Sequence, residues 1–451
     1  MYVHEGEDVD VDVDVVRHYL GVKANKLRIT QLTSSSSRGG GGVGGGGGGG
    51  GRPGQSESES GVVLGVEDAQ LGCDAVTLVG VNNQGGGGGA GAGRGGMTLD
   101  GAGAGAGAHA TRSSPVTWNA TWNCPGKVTC LEVAKASVDN DVWAGTVLGH
   151  VCKITTQIAS GDGGDGDETT MDVEDEHQAN AFLSVKVHEG VVSSVDVNSQ
   201  SGEVLSAGYD GRVFIHRGER MGGGMKPQLH HSTRGAVSYN VAKWCSGDVF
   251  LTAASGTMMG GGNGGLQSWD RRSKQVKSSS NSGSTASDGV NGGGGDGGGG
   301  ASLSTILCVD VHPSRPHLCA TGHEGGLIAL WDLRKETHPF QQFSRLSASG
   351  NGFGHVWEVS FACEENLQVF GLEVDNMNEG GGGSSGLASP LVFACTQDGH
   401  FGVTRSHNNT FHSLLRESSC INSFDFTHKS MMCVTGQEGL VVVTETDGVA
   451  V

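Results

Sequence analysis

Between Leu303 and Phe340 the apolar positions fall into three short runs separated by turn-forming residues. Ile306, Cys308, Val309 and Val311 form the first run, and His312 to Pro316 interrupts it with two prolines. Leu318, Cys319, Ala320 and Thr321 form the second. A glycine-rich turn from His323 to Gly326 leads into the third, Leu327 to Trp331, which closes on Trp-Asp. Short runs of this spacing, bounded by Gly and Pro, predict an antiparallel sheet of the kind that forms one blade of a β-propeller. A single blade cannot bury both of its faces, so further blades are required elsewhere in the chain.

The same order of strand, turn, strand, small-residue turn and strand recurs over Val128 to Thr155, His188 to Arg217 and Gly235 to Asp270. It appears again from Gly354 to Arg405, as HVWEVSF and PLVFACTQDGHFGVTR around a long insertion, and from Cys420 to Glu445. A seventh unit is assembled from Lys26 to Leu32, Gly61 to Val66 and Ala75 to Val81, with Val116 to Asn119 as a candidate fourth strand. The fold class expected is all-β: a seven-bladed WD40 β-propeller, over 25–451, with long Gly-rich disordered insertions and an acidic tail at 1–24. The last unit shows three strands before the chain stops at Val451, so an N-terminal strand near Lys26 to Leu32 is expected to complete the final blade and remove an open edge.

Composition reduces the part of the chain that can pack. Of 451 residues, 82 are glycine, concentrated in insertions near 34–60, 85–110, 160–178, 278–300 and 375–387. These runs hold few large apolar groups, and their reading is that of flexible spacer. A net charge of -19 opposes a nucleic-acid footprint, which needs clustered Lys and Arg. The RGG triplets at 38–40 and 94–96 are too isolated to change this, and no direct nucleic-acid partner is expected. Asp8, Asp10, Asp12 and Asp14 alternate with valine, and four like charges on one face favour a solvated segment over a strand. No apolar run has the length that spans a bilayer, and no basic and apolar leader opens the chain, so an intracellular protein without membrane insertion is expected. Cys130, Cys152, Cys308, Cys319, Cys395 and Cys433 sit within apolar strand patterns without a C-x-x-C pair, which reads as buried thiols of a reducing compartment. The sequons at Asn119 and Asn408 then carry no weight.

Site chemistry is sparse. His312, His317, Cys319 and His323 lie close in sequence, but strand alternation sends neighbours to opposite faces, and no metal is expected. The histidines at 188 and 323 stand beside turns, where a structural hydrogen bond between blade strands is the expected role. Gly382 to Gly386 matches G-x-S-x-G inside a glycine tract that lacks the strand and helix of a nucleophile elbow. No phosphate-binding loop or zinc-protease motif is present, so neither enzyme activity nor a cofactor is expected. The blade signature residues are Asp210, Gly211, Trp269, Asp270, Trp331, Asp332, Trp357, Asp398 and Gly399. His216, Thr404 and Thr444 stand where a strand-end tryptophan is expected, and those blades are expected to rely on apolar packing. Trp269 to Arg272 and Trp331 to Arg334 both read Trp-Asp-x-Arg, making Arg272 and Arg334 candidate partner-binding residues beside their plainer reading as strand-end surface.

At the level of whole blades the chain resembles the nucleoporin forty-three family, the small single-propeller subunits of the Y-shaped scaffold complex in the nuclear pore. The resemblance rests on CVDVHPSRPHLCATGHEGGLIALWDLRKETHPF and on HVWEVSF at His355 to Phe361, with support from VLSAGYDGRVFIHR and LQSWDRR. It implies a non-enzymatic scaffold subunit at the nuclear envelope, part of a hetero-oligomer with helical-solenoid scaffold nucleoporins, that supports mRNA and protein transport through pore assembly. Two other classes share the blade pattern: a substrate receptor of a cullin-RING ubiquitin ligase, engaging its adaptor through Trp-Asp-x-Arg, and a peroxisomal import cargo receptor. Phe353-Gly354, Phe370-Gly371 and Phe401-Gly402 lie in or near strands and read as structural, unlike the dense FG repeats of transport-receptor-binding nucleoporins.

Overall fold

The computed structural model describes residues 13–20, 23–32, 59–68, 73–81, 116–134, 141–155, 182–217, 225–233, 237–255, 265–273, 275–280, 304–335, 339–343, 354–372, 390–405, 409–427, 430–436 and 439–445. These form seven four-stranded antiparallel sheets. Blade one is Lys23–Leu32, Glu59–Asp68, Cys73–Val81 and Val116–Cys124. Blade two is Val128–Val133, Val142–Thr146, His150–Ile154 and Phe182–Lys186, and blade three is Val192–Val197, Val204–Gly208, Arg212–Arg217 and Lys226–Ser232. Blade four is Ser238–Ser246, Val249–Ser255, Leu266–Asp270 and Gln275–Ser280, and blade five is Ile306–Val311, Leu318–His323, Ile328–Asp332 and Gln341–Phe343. Blade six is Val356–Phe361, Val392–Thr396, His400–Arg405 and Thr410–Arg416. Blade seven joins Ile421–Phe426, Ser430–Thr435 and Gly439–Glu445 to Val13–Tyr19 from the other end of the chain. The expected seven-bladed propeller is therefore present. Most glycine tracts, the two RGG triplets, the G-x-S-x-G match, Asp8 to Asp12, Asn408 and Phe353 lie outside the described residues.

Closure by an N-terminal strand holds, but the strand is a different one. Val13–Tyr19 pairs antiparallel with Gly439–Glu445, from Val13 opposite Glu445 to Tyr19 opposite Gly439. Lys23–Leu32, which contains the Lys26 to Leu32 segment expected to close the ring, is the innermost strand of blade one. The reason is visible beyond Asp14: Val15 and Val16 are half-buried, Val15 packs on the core shared by blades six and seven, and exposed Arg17 reaches Glu417 at 2.8 Å. Apolar cover of the Val441 and Val443 side chains outweighs the like charges upstream. A smaller correction concerns Ser278 to Ser280, which had been placed in an insertion and form the end of the outer strand of blade four.

Each inner strand lies against the next, and the seventh against the first. Every one of the seven carries a register shift after its first or second residue, as at Val128/Cys130, Val192/Ser194 and Ile421/Ser423, and at Ala24/Lys26 and Tyr239/Val241. A bulge of this kind turns one extra side chain out of the ladder, and here it turns toward the neighbouring blade. Ser193 Oγ donates to the Tyr239 carbonyl at 2.6 Å, Asn240 Nδ2 to the Ile306 carbonyl at 2.8 Å and Asn422 Nδ2 to the Ala24 carbonyl at 3.3 Å, while Thr129 donates to the Val192 carbonyl. The close approach this requires explains Gly145 and Gly322, where an added Cβ would lie 2.5 Å from the sulfurs of Cys130 and Cys308. The core is thus a series of wedges between blades, filled by groups such as Leu251, Ile306, Cys319 and Trp331 between blades four and five. The cysteines expected to be buried are free thiols, with Cys308 half-buried. Phe370 and Phe401 are buried, as structural residues.

Candidate interaction site

The first-to-second and third-to-fourth connections of every blade lie on one side of the ring, here the lower face, and the second-to-third turns lie on the upper face, because the strands alternate in direction. Turns on the upper face are braced by hydrogen-bond relays. In blade five the Trp331 ring N–H donates to Thr321 Oγ1 at 2.8 Å, the Thr321 hydroxyl lies 2.8 Å from His323 Nε2, and His323 Nδ1 donates to the Ser304 carbonyl at 2.8 Å. Blade three has a corresponding relay that starts from a different residue, takes its second histidine from the segment before the first strand and ends on an aspartate side chain. His216 Nε2 lies 2.8 Å from Ser206 Oγ, Ser206 lies 2.9 Å from His188 Nε2, and His188 Nδ1 donates to Asp210 at 3.0 Å. Asp210 accepts only, which fixes every donor along the chain: His216 to Ser206 to His188 to Asp210. Burial holds His216 neutral, with its pKa lowered to about 3, as the relay requires. Blade three therefore does not fall back on apolar packing, because an imidazole N–H replaces the indole N–H at the same ladder position. Trp269 repeats the first step onto Thr252 at 2.8 Å in blade four, Asp398 accepts from the Thr396 hydroxyl in blade six, and Trp357 sits half-buried against His355. Gly211 and Gly399 adopt φ of 71° and 83°, the left-handed turn conformation that glycine favours. Of the residues tested as metal ligands, His323 is engaged in its relay, Cys319 is buried in a wedge and His312 accepts from Arg315 at 2.7 Å.

The central channel is filled with charge that sequence reading did not single out. Arg28, Glu132, Asp196, Lys243, Asp310 and Asp425 occupy the same position, four residues beyond the start of the bulge, in six inner strands, and Glu358 lies two residues earlier in the seventh. The signal was a repeated apolar-charged-apolar triplet, LRI, LEV, VDV, AKW, VDV and FDF. Three of the carboxylates clamp the next blade by accepting its backbone N–H: Asp196 from Trp244 at 2.7 Å, Asp310 from Phe361 at 2.9 Å and Asp425 from Ile29 at 3.0 Å. The cations reach across the channel. Arg28 of blade one lies 2.7 Å from Glu358 of blade six and 3.5 Å from Glu132 of blade two. Lys243 of blade four lies 2.9 Å from Asp196 of blade three and 3.8 Å from Glu132. The channel is bridged by the chain's own side chains, so a partner has to use a face or the rim.

Burial pushes the Asp196 carboxyl up to about 6, with Lys243 opposing the rise and Glu132 adding to it. The folded protein thus keeps a proton on Asp196 between about pH 4 and 6, where an unfolded aspartate has lost it. The stability this supplies is complete below about pH 4 and is lost as pH rises through about 6, by on the order of 3 kcal/mol. Asp196→Asn is expected to flatten the slope of Tm against pH in that window; an unchanged slope would exclude Asp196 as its source.

Arg272 and Arg334 emerge on the lower face from identical turns of adjacent blades. In each, the strand-end aspartate accepts the arginine's backbone N–H, Asp270 at 2.9 Å and Asp332 at 3.1 Å, and the guanidinium folds back toward the same carboxylate while staying 70% and 63% exposed. Hydrogen bonding from Arg334 holds the Asp332 carboxyl down to about 2.

Seven blades in a closed ring, with bulge-linked inner strands, a Trp–Thr–His relay in blade five and its His–Ser–His–Asp counterpart in blade three, define a WD40-type propeller, with no helix among the described residues long and apolar enough to cross a membrane. No family model matches the chain. The nuclear pore complex protein NUP43 of Arabidopsis thaliana is 26% identical over 336 residues, covering 72% of this chain and 79% of that protein. Nucleoporin Nup43 of Homo sapiens is 37% identical over 68 residues, 15% of this chain and 16% of that protein. Dynein axonemal intermediate chain 1 of Bos taurus is 32% identical over 78 residues, 17% of this chain and 11% of that protein. The last two matches span about two blades' length, whereas the first extends the resemblance to nucleoporin forty-three over most of the propeller.

Proposed function

We propose that the chain is a non-enzymatic scaffold subunit of the nuclear pore complex, located at the nuclear envelope. The observation that carries this is likeness to a NUP43 over 72% of the chain, on a propeller whose seven blades are all complete. A ring closed by its own N-terminal strand and bridged through its channel presents fixed surface, which is what a docking subunit supplies. The partners in this reading are helical-solenoid nucleoporins of the Y-shaped complex, and the contribution to mRNA and protein transport is through pore assembly. A tagged copy at native level is expected to give a continuous nuclear-rim signal and to copurify with Y-complex subunits. A diffuse nuclear signal with a cullin-RING adaptor in the purification would instead favour the ligase-receptor reading of Arg272 and Arg334, and cycling between cytosol and peroxisomes the cargo-receptor reading; either would defeat the scaffold proposal.

A further inference from the structure

The chain is strongly acidic, yet its lower face gathers exposed arginines on three consecutive blades. Arg217 at the end of the third strand of blade three is 60% exposed, Arg272 of blade four 70% and Arg334 of blade five 63%. Arg271 ties two of these blades together, pairing with Glu203 of blade three and, at 3.1 Å, with Asp248 of its own blade. Each exposed guanidinium is held along one edge by its own blade. Arg217 uses Nε on Glu203 at 2.8 Å, and Arg334 uses Nε and Nη2 on Asp332 at 2.9 and 2.8 Å. Arg272 leans on Asp248 and Asp270, both at 3.6 Å. A guanidinium carries five N–H donors in a planar fork, so one anchored edge orients the other toward solvent. Phe340 of blade five adds an apolar group, 49% exposed, hydrogen-bonded through its backbone N–H to Leu330 of the third strand, whose following turn carries Arg334.

We propose that this arginine face, Arg217, Arg272 and Arg334 flanked by Phe340, docks an acidic segment of a partner protein that also carries apolar residues. Carboxylates match the oriented forks by charge-assisted, bidentate hydrogen bonds, and Phe340 supplies the kind of aromatic anchor that interfaces concentrate. RNA is the poorer occupant. Phosphate binding draws on release of counterions by unpaired cations, whereas these arginines are already half-compensated by Glu203, Asp248, Asp270 and Asp332. The inference gives a face and a chemistry to the docking reading above and rests on that reading only for the partner's identity.

The test uses the full chain and a short fluorescein-labelled helical peptide with glutamates on one face and leucines on the other, read by fluorescence anisotropy. The wild type is expected to bind it. Arg217→Glu/Arg272→Glu/Arg334→Glu is expected to weaken binding by about tenfold or more, the product of three exposed charge contacts each worth a few-fold, with an unchanged circular-dichroism spectrum and a modestly lowered Tm, since each pairing carboxylate loses its arginine. Arg212→Glu on the upper face is expected to leave binding as it is. If the triple variant does not fold, Arg272→Gln/Arg334→Gln gives the same comparison. Absence of wild-type binding, equal loss in the Arg212 variant, or tighter binding of a single-stranded RNA of equal charge overturns the proposal. So does binding that appears only after removal of 160–178, which would assign the face to the chain's own acidic run. Nuclear-rim localisation is a separate readout, so a failed peptide test and a failed scaffold reading are distinguishable.

Discussion

Removal of residues 1–20 is expected to destabilise the entire ring, not the last blade alone. The deleted strand pairs along all of Val13 to Tyr19 and covers Val441 and Val443, which are 2% and 1% exposed in the closed ring. Uncovering two buried valines costs about 1.5–3 kcal/mol each, and the orphaned edge adds unpaired backbone groups. The loss is on the order of 5 kcal/mol, a large fraction of what a domain has in total, and is expected to lower Tm by on the order of 10 °C. Because Ile29 and Ala24 of blade one are hydrogen-bonded to Asp425 and Asn422 of blade seven, loosening the last blade opens the seam between chain ends. Thermal unfolding of the truncated and intact proteins, followed by tryptophan fluorescence and circular dichroism together, checks this. Equal melting would mean that the ring is closed by the contacts of blades seven and one without the strand. A separate early transition would mean that the blade melts without the ring.

How far the fold was legible follows from what the apolar pattern can report. Blades two to seven each contain at least one strand buried along most or all of its length, such as Leu318–His323 and Val392–Thr396, and such runs stand out against glycine turns. The closing strand did not, because Val-Asp alternation describes equally a half-buried strand and a solvated acidic segment; only its continuation into Val15 and Val16 separates them. The blade-three relay was hidden by residue names, since His216 and Trp331 differ as letters yet each places a ring nitrogen 2.8 Å from a hydroxyl of the second strand. The channel charges were hidden for another reason. In one strand, Asp196 or Lys243 looks like the polar face of an alternating pattern, and its meaning appears only when seven inner strands are superposed about one axis. Arg272 and Arg334 were visible as a motif, while Arg217 was not, because it joins them through the ring and not through the sequence.

Arg28→Met is expected to be the most damaging single substitution in the channel. Arg28 holds Glu358 at 2.7 Å and Glu132 at 3.5 Å, all three side chains about one-sixth exposed or less, and it donates to the Leu27 carbonyl at 2.7 Å. Breaking one partner out of a buried ion pair leaves the other charge uncompensated, at about 3–5 kcal/mol; residual exposure places this case near about 3 kcal/mol. Glu358 gives the sign of the accompanying pH effect. Burial, the largest single influence, would raise its pKa, but Arg28 together with the Lys26 charge and the Ser423 hydroxyl outweighs it and holds the carboxyl below the ordinary glutamate value. In the wild type its contribution is present above the unfolded glutamate pKa and is lost as pH falls. Without Arg28 burial dominates, the folded pKa rises above the unfolded one, and the contribution is present at low pH and lost as pH rises. The slope that Glu358 gives to Tm against pH is therefore expected to reverse in Arg28→Met, and adding Glu358→Leu is expected to restore part of the lost stability, since both charges are then gone. An Arg28→Met protein with wild-type Tm and an unreversed slope would mean that water already compensates the channel carboxylates. The blades would then be held by the bulge hydrogen bonds and wedges alone.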